Sequence, residues 1–348
     1  MKKILISFNF AVVMLLIITA CGTNAAEELI AMAQAPSIGQ MGHAANISDE
    51  STSSSICHDK ALSLFEALDS IIDADGGYLW GMDLRGPIMF ADAQSRYAIA
   101  NMPDANGEIF TRQSDLYIGK IPEDISIFSR NLTLGDTHWA MISWADVRDD
   151  NHDWTMALML HKLFHTRQPY VFQGSLNWGV TDHMEELDAS ISGRLEINAL
   201  LNALRSTDNE RLISIHNALS IRYERHKNNS EFATAGEIAQ EILEGSVTYT
   251  EVMLLFDDME DRLQFIEYGM STTGRISLFG YWSGALYGLL LDELGVDWRT
   301  GLAWYADLAE ILQNSIDFGG AIPLAEIDLE CYNYSAVRLV EEARIAEI

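Results

Sequence analysis

The chain is poor in cysteine, proline and positive charge. Its 348 residues include 3 Cys, 6 Pro and 22 Lys+Arg against 51 Asp+Glu, which gives a formal net charge of −29. Nucleic-acid binding needs clustered cations, so this balance excludes a nucleic-acid partner and disfavours anionic lipid surfaces. The low proline content and 48% hydrophobic residues exclude collagen-like and wholly disordered chains. The composition is that of a globular protein long enough for about two domains.

Common nucleotide and nucleophile signatures are also missing. The sequence has no glycine-rich phosphate loop and no dinucleotide fingerprint. Its nearest approach to a nucleophile elbow, Phe172–Leu176, does not have the closing glycine. No repeat occurs at a solenoid period. The chemistry must therefore be sought in other residue patterns.

The N-terminus has the pattern of a targeting segment. Lys2 and Lys3 precede an apolar run, Ala11–Ile18, that is too short to span a membrane. We expect residues 1–20 to be a secretory signal. The run ends in Ile-Thr-Ala-Cys at Cys21, which resembles a bacterial lipobox and implies that Cys21 is acylated and becomes the first mature residue. The alternative is an ordinary signal peptide with an incidental cysteine at its cleavage site.

Residues 21–56 are rich in Ala, Ser and Gly and have no sustained apolar periodicity. This composition predicts a flexible tether with a root-mean-square span of about 30 Å, enough to hold a folded body away from a membrane. If Cys21 carries lipid, Cys57 and Cys331 remain as two thiols near the ends of the folded region. In an exported protein they are expected either to form a disulfide or to be two separate buried thiols.

The remaining chain changes from short strands to long helices. Apolar spacing over His58–Asp73 predicts an opening helix. Short β-prone runs with Gly and Pro turns then predict a small antiparallel sheet, at Tyr78–Trp80, Ile88–Phe90, Tyr97–Ala100, Leu116–Ile118 and His138–Trp144. Helical periods dominate after Asn151. The order predicts an α+β fold with an N-terminal α+β subdomain over 57–150 and a helical subdomain over 151–348.

A histidine pair is the most informative chemical feature. His161 and His165 stand four residues apart in an otherwise apolar run, so both face the same side of a predicted helix. A single histidine on an apolar face is usually a core residue, but two on one face need two partners. A metal ion would satisfy both. Glu196 lies on the apolar stripe of a later predicted helix.

His161, His165 and Glu196 together resemble the zincin metallopeptidases whose HExxH helix is followed by a glutamate ligand on a later helix. The resemblance implies a zincin-like helical body, a zinc cofactor held by these three residues, and a peptide or protein ligand. In that family the glutamate inside the motif is the general base. Here that position holds Lys162.

Lys162 has the wrong charge for a general base, because a protonated amine cannot accept a proton. A neutral lysine base is one alternative. Glu186 and Asp188 are candidate substitute carboxylates in an acidic loop, where Glu185 is expected to be solvated. His183 is either a replacement ligand or an exposed loop histidine.

The wider pattern is similar to a group of bacterial exported proteins. The similarity spans most of residues 78–300 and rests on three segments, Trp80–Pro87, Gly193–Glu196 and Tyr281–Tyr287. It implies no particular activity. The aromatic and glycine residues of the third segment fit either a pocket lining, with an oxyanion donor, or close helix packing.

Together these features predict a membrane-anchored, zincin-like lipoprotein of the cell envelope. It would bind zinc and be a peptidase homologue with weak or no hydrolytic activity, because the general base is replaced. The alternative is a non-catalytic envelope protein, structural or binding, in which the histidine pair is only part of the core.

Overall fold

The computed structural model describes residues 56–176, 179–273 and 276–346. The predicted signal, Cys21 and nearly all of the predicted tether lie outside the described residues. Ile56, the last tether residue, is buried in the core. The folded body therefore begins within the segment that composition assigned to the tether. Across the part of the chain that the structure describes, no helix is long and apolar enough to cross a membrane.

One helix and six strands form the first block of the fold, followed by a block of helices. The first block comprises α1 (His58–Asp75), β1 (Ile88–Ala91), β2 (Tyr97–Ala100), β3 (Thr111–Gln113), β4 (Leu116–Lys120), β5 (Arg130–Leu134) and β6 (Thr137–Ser143). The second block comprises α2 (His152–Val171), α3 (Leu187–Arg205), α4 (Asp208–Lys227), α5 (Glu231–Gln240), a π-helical turn (Glu241–Gly245), α6 (Ser246–Leu255), α7 (Met259–Thr273), α8 (Phe279–Glu293), α9 (Leu308–Ser315) and α10 (Tyr334–Ala346). The α+β prediction is confirmed.

The sheet is mixed rather than purely antiparallel. Its strand order is β3-β4-β2-β1-β6-β5, and β1 and β6 run parallel at its centre. After β1 the chain forms β2, β3 and β4 on one side of that strand. It then crosses to the other side, where β5 and β6 form a hairpin, and β6 lies beside β1 and runs in the same direction. Tyr78–Trp80 forms a turn instead of the predicted strand. Strand β3 is polar and exposed throughout, so no apolar alternation could have predicted it. Strand β5 does alternate, with Leu132 and Leu134 buried on either side of exposed Thr133, but the pattern is short and was not recognised.

The two central strands are buried on both faces. In β1, Ile88 and Phe90 point into the large core shared with the helices, whereas Met89 and Ala91 point into a smaller core on the opposite face. This alternation is the two-residue period of a strand. Helices cover one face of the sheet and loops cover the other. The residues that face either side of the strand are therefore apolar, and its sequence is a continuous hydrophobic run.

A single large core joins the two predicted subdomains. It contains Leu64 of α1, Phe164 of α2, Leu290 of α8 and Val337 of α10. Trp80 lies at its centre, where its ring stacks on Phe164 with centroids 5.2 Å apart. Residues 57–150 and 151–348 therefore bury their apolar surfaces against each other.

Cys57 and Cys331, the two cysteines of the described residues, are free thiols, and both are exposed. Neither expectation from the sequence, a disulfide or two buried thiols, agrees with this arrangement. Cys57 is the residue before α1, and Cys331 lies in a short 3₁₀ helix where its thiol donates to Asp328 at 3.5 Å. The number of cysteines and the expected export of the protein could not indicate that these two positions lie on the surface.

Candidate metal centre

The two histidines project together from α2. Asn151 caps this helix by accepting a hydrogen bond from the Trp154 amide, and Leu160, Leu163 and Phe164 anchor it in the core. On the adjoining face, the rings of His161 and His165 lie 4.8 Å apart. Their Nε2 atoms are separated by 3.2 Å. The spacing in the sequence thus predicted correctly that the two imidazoles share one face.

A carboxylate completes the cluster, and it belongs to Glu244 in the π-helical turn. Its Oε2 lies 3.4 Å from His161 Nε2 and 3.2 Å from His165 Nε2. The three side chains are 14%, 15% and 17% exposed, in the order His161, His165 and Glu244. Within the described residues, Glu244 Oε2 is buried and has no hydrogen-bond partner of good geometry. Three ligand atoms therefore converge on one point close to the surface.

The triangle of ligand atoms fits a tetrahedral metal ion. Zinc binds imidazole nitrogen and carboxylate oxygen at about 2.0–2.2 Å, so two of its tetrahedral ligands are about 3.3–3.6 Å apart. The measured separations are 3.2, 3.2 and 3.4 Å. A three-ligand set of this kind leaves a fourth position open. His161, His165 and Glu244 are also the group of potential metal ligands that meets within 4.8 Å in the described part of the chain.

Each histidine is oriented by an acceptor on its other nitrogen. His161 Nδ1 lies 2.5 Å from Glu251 Oε1, and His165 Nδ1 lies 2.8 Å from Gln168 Oε1. Because both partners accept, each ring carries its proton on Nδ1 and turns the lone pair of Nε2 toward the other ligands. This arrangement of partners is typical of histidine ligands to metals.

Gln168 also joins the two halves of the centre. Its Nε2 donates to the carbonyl of Leu243 at 2.7 Å and to the hydroxyl of Ser246 at 3.0 Å. These residues flank Glu244 in the chain. One buried amide therefore fixes both the orientation of His165 and the position of the turn that carries the carboxylate ligand.

We expect Gln168→Met to weaken zinc binding by about 10- to 100-fold, because residues that orient ligands have effects of that size. Gln240→Met is the matched control. Gln240 clamps the same turn to α8, through Ser277 and Gly280, without touching a ligand. Affinity is measured by competition with a chelator. An equal loss of affinity in both variants would show that Gln168 acts only by holding the turn.

The charges around the centre favour an ionised carboxylate. Burial raises the pKa of Glu244, but the adjacent His161 and His165 rings, in the protonated form that they can take without a metal, hold it well below its ordinary value. Burial and Lys162 lower the pKa of His161, while Glu251 and Glu244 more than compensate, so it is raised. A proton therefore competes with a metal for this cluster at low pH.

The π-helical turn aims Glu244 at the histidines. In a regular helix, Glu237, Glu241, Glu244 and Glu251 would all lie on one face. The wider turn separates them, so that Glu237 and Glu241 face buried arginines while Glu244 and Glu251 face α2. Such turns are frequent at functional sites. Four glutamates at helical spacing in an apolar segment were the signal in the sequence for a buried polar site here.

Glu196, the predicted third ligand, lies in a different cluster. Its Oε2 accepts from Arg225 at 2.5 Å, and its Oε1 accepts from Tyr287 at 2.6 Å and Arg222 at 3.3 Å. The side chain is fully buried. Because both oxygens are engaged by these donors, Glu196 is a partner of the arginines, and Glu244 takes the place assigned to it.

That cluster is a buried network of arginines and carboxylates. Arg222 makes a two-pronged pair with Glu241 at 2.7 and 2.8 Å, and Arg225 pairs with Glu237 at 2.7 Å. Burial raises the pKa of Glu237, but Arg225 and two histidines hold it well below its ordinary value. For Glu241, burial outweighs Arg222 and raises the pKa to about 7. The network ties α3, α4, α5 and the π-helical turn together.

The residues proposed as substitute bases lie outside the metal centre. Glu186 and Asp188 are exposed at the start of α3. Glu185 pairs with Arg344, and His183 Nε2 donates to Glu237 Oε1 at 2.6 Å. His183 is therefore part of the buried network and not an exposed loop residue. None of the four belongs to the converging ligand group.

Lys162 lies next to the centre but has no ligand role. It is half-buried, and burial lowers the pKa of its amine while Glu244, Glu251 and Asp146 oppose that change. Its backbone carbonyl accepts from Asn131 at 2.6 Å. The side chain supplies positive charge near two carboxylates.

The aromatic and glycine segment of α8 serves both packing and the centre. A Cβ on Gly245 would lie 2.5 Å from the Gly280 carbonyl and 2.6 Å from Gly284 Cα, so the π-helical turn and α8 touch through their backbones. This approach places Tyr281 over His161, with ring centroids 6.0 Å apart and planes 11° apart. Tyr281 also hydrogen-bonds to Glu244, and its pKa is raised by burial and by that carboxylate.

Comparisons with protein-family models, curated proteins and solved structures found no match. The function of the centre must therefore be inferred from its own geometry.

Proposed function

We propose that the protein binds one zinc ion through His161 Nε2, His165 Nε2 and Glu244 Oε2, and that it is a zincin-like peptidase homologue with weak or no hydrolytic activity. The observation that carries the proposal is the near-equilateral triangle of ligand atoms, with sides of 3.2, 3.2 and 3.4 Å. The buried and unpaired oxygen of Glu244 supports it, because such an atom is costly without a partner.

Zinc in this position would supply a Lewis acid with one open coordination site. The residues around it hold ligands in place but offer no free carboxylate base. Glu251 is engaged with His161 Nδ1, and Tyr281 hydrogen-bonds to Glu244. Lys162 stands where the zincins have their general base, and in its protonated form it cannot accept a proton. A complete set of held ligands together with the missing carboxylate base supports metal binding without efficient hydrolysis.

Metal analysis of the purified full-length protein in detergent tests the first part of the proposal. We expect one equivalent of zinc, removed by a strong chelator and restored by added zinc. The His161→Ala, His165→Ala double variant is the control and should hold none. If the parent protein also holds none after zinc is added, the histidines are core residues, as in the alternative of a structural or binding protein.

Restoring the glutamate tests the second part. We expect Lys162→Glu to raise zinc-dependent cleavage of an unstructured peptide by at least about 10-fold, since general bases contribute about 10²- to 10⁴-fold. The same substitution combined with His161→Ala should remain inactive. Unchanged cleavage in a variant that still holds zinc would show that the centre is not a disabled peptidase site.

The export signal and lipid anchor are part of the same proposal. They rest on the residues that end at Cys21, which the described structure does not include. Fractionation of a Cys21→Ala variant tests them, and the variant is expected to leave the membrane fraction. A variant that is processed and retained like the parent would contradict lipidation.

A further inference from the structure

A separate cleft lies between the end of α4, the first turns of α5 and the loop at 304–305. It has a volume of about 340 Å³ and is lined by Trp304, Tyr305, His226, Asn229 and Glu231 together with small and apolar residues of α5. That volume is at the lower end of the range for small-ligand pockets. The cleft shares no residue with the metal centre or its orienting shell.

The aromatic wall of the cleft is held in place. The Trp304 amide donates to the Gln173 carbonyl at 2.9 Å, and its ring packs edge-on against Phe172 at 4.9 Å. Tyr305 is 66% exposed. Gly174 has a φ of +76°, and a Cβ there would lie 3.1 Å from the Tyr305 ring. The Gly174 backbone thus leaves space for the Tyr305 ring, and the Trp304 side of the wall is preformed.

The charge of the cleft is negative. Glu231 is exposed and forms no ion pair with any other described residue. Burial and Arg222 lower the pKa of His226, which disfavours a positive charge on its ring, and the ring donates to Glu237 at 3.0 Å. The lining includes no lysine or arginine. An anionic ligand would find no cationic side chain among the lining residues, and the chain's net charge of −29 also repels it.

From this combination we infer that the cleft binds a small organic cation, an alkylated ammonium group placed against Trp304 and Tyr305 with Glu231 as its counter-charge. Aromatic faces attract such cations through their quadrupoles, and indole is the strongest of the side-chain rings. A carboxylate at the rim adds an attraction that depends on ionic strength. The inference does not depend on zinc, because the cleft and the metal centre have no residue in common.

Choline chloride is the probe, and its uncharged isostere 3,3-dimethylbutan-1-ol is the matched control ligand. Calorimetry on the full-length protein is expected to give a saturable millimolar dissociation constant for choline and about 10-fold weaker binding of the isostere. Added salt should weaken only the choline interaction. The result should be the same with zinc-loaded and chelator-treated protein, which separates this test from that of the metal centre.

Two substitutions locate the binding. Glu231→Gln and Tyr305→Ala are each expected to weaken choline binding several-fold, while Tyr170→Ala, which removes a tyrosine that is 75% exposed outside the cleft, should have no effect. Equal binding of choline and its isostere would show that the cleft recognises only the apolar part of the ligand, which would contradict the inference. Absence of saturable choline binding, or binding unchanged by both cleft variants, would overturn the inference.

Discussion

Glu244→Gln is expected to abolish tight zinc binding, whereas Glu196→Gln is expected to retain it. Glu244 Oε2 lies within 3.4 Å of both histidine Nε2 atoms. Glu196 is instead held by Arg225 and Tyr287. The two substitutions make the same chemical change in a fully buried glutamate, Glu196, and a largely buried one, Glu244. Their comparison therefore separates a ligand from a structural residue.

The loss of affinity in Glu244→Gln should exceed about 100-fold, because even the residues that orient ligands contribute about 10- to 100-fold. Zinc should also stop raising the melting temperature of this variant, since a ligand stabilises only a protein that binds it. Competition with a chelator and thermal unfolding with and without zinc give both readouts. If Glu196→Gln loses zinc and Glu244→Gln keeps it, the ligand assignment is reversed.

Arg225→Met is expected to lower the free energy of unfolding by about 3–5 kcal/mol, the usual cost of removing one partner from a buried ion pair. The arginine side chain is 1% exposed and pairs with Glu196 and Glu237. Its removal leaves two buried carboxylates with reduced compensation. Urea unfolding of chelator-treated protein measures the loss without a contribution from zinc.

Arg205→Met is the control for that experiment. Arg205 also pairs with two glutamates, Glu260 and Glu267, but its side chain is 31% exposed. Surface pairs are worth about 0–1 kcal/mol, so the control should stay close to the parent. Similar losses in both variants would contradict the view that burial makes the Arg225 pairs important.

The effect of Arg225→Met should also depend on pH. In the parent, Glu237 has a folded pKa well below its ordinary value of 4.5. A carboxyl group with a lowered pKa stabilises the fold above its unfolded pKa, and that stability is lost as pH falls through the folded value. The difference between parent and variant should therefore shrink below about pH 4.5. A constant difference across that range would contradict the role assigned to Glu237.

The sequence predicted the elements that have strong local patterns. The helical stripe of α1, the apolar strands β1 and β2 and the alignment of His161 with His165 all follow from spacing along the chain. The parallel pairing of β1 with β6 does not, because it depends on how the intervening hairpins are arranged in space. Burial on both faces of the central strands was the available hint.

The third ligand shows why spacing alone was insufficient. Glu196 and Glu244 both lie in apolar helical segments, and both are partly or fully buried. What separates them is their partners. Arg222 and Arg225 lie on α4, which packs against α3. Both donate hydrogen bonds to Glu196, so its oxygens are not free to bind a metal. Glu196 was matched to the zincin ligand by its position in the chain alone. That match takes no account of the two arginines that contact it.

The shared core has a consequence for how the chain reaches its folded state. Leu64 and Val337 belong to the same cluster, and α1 packs against α2 and α6. Such contacts close very long loops, which is an entropic cost that must be met before the contacts form. A chain cut near residue 150 should therefore yield two fragments that stay unfolded apart and recover ordered structure only when mixed. The intact protein should unfold in one cooperative step, and neither block should hold stable structure until α10 has packed into the shared core.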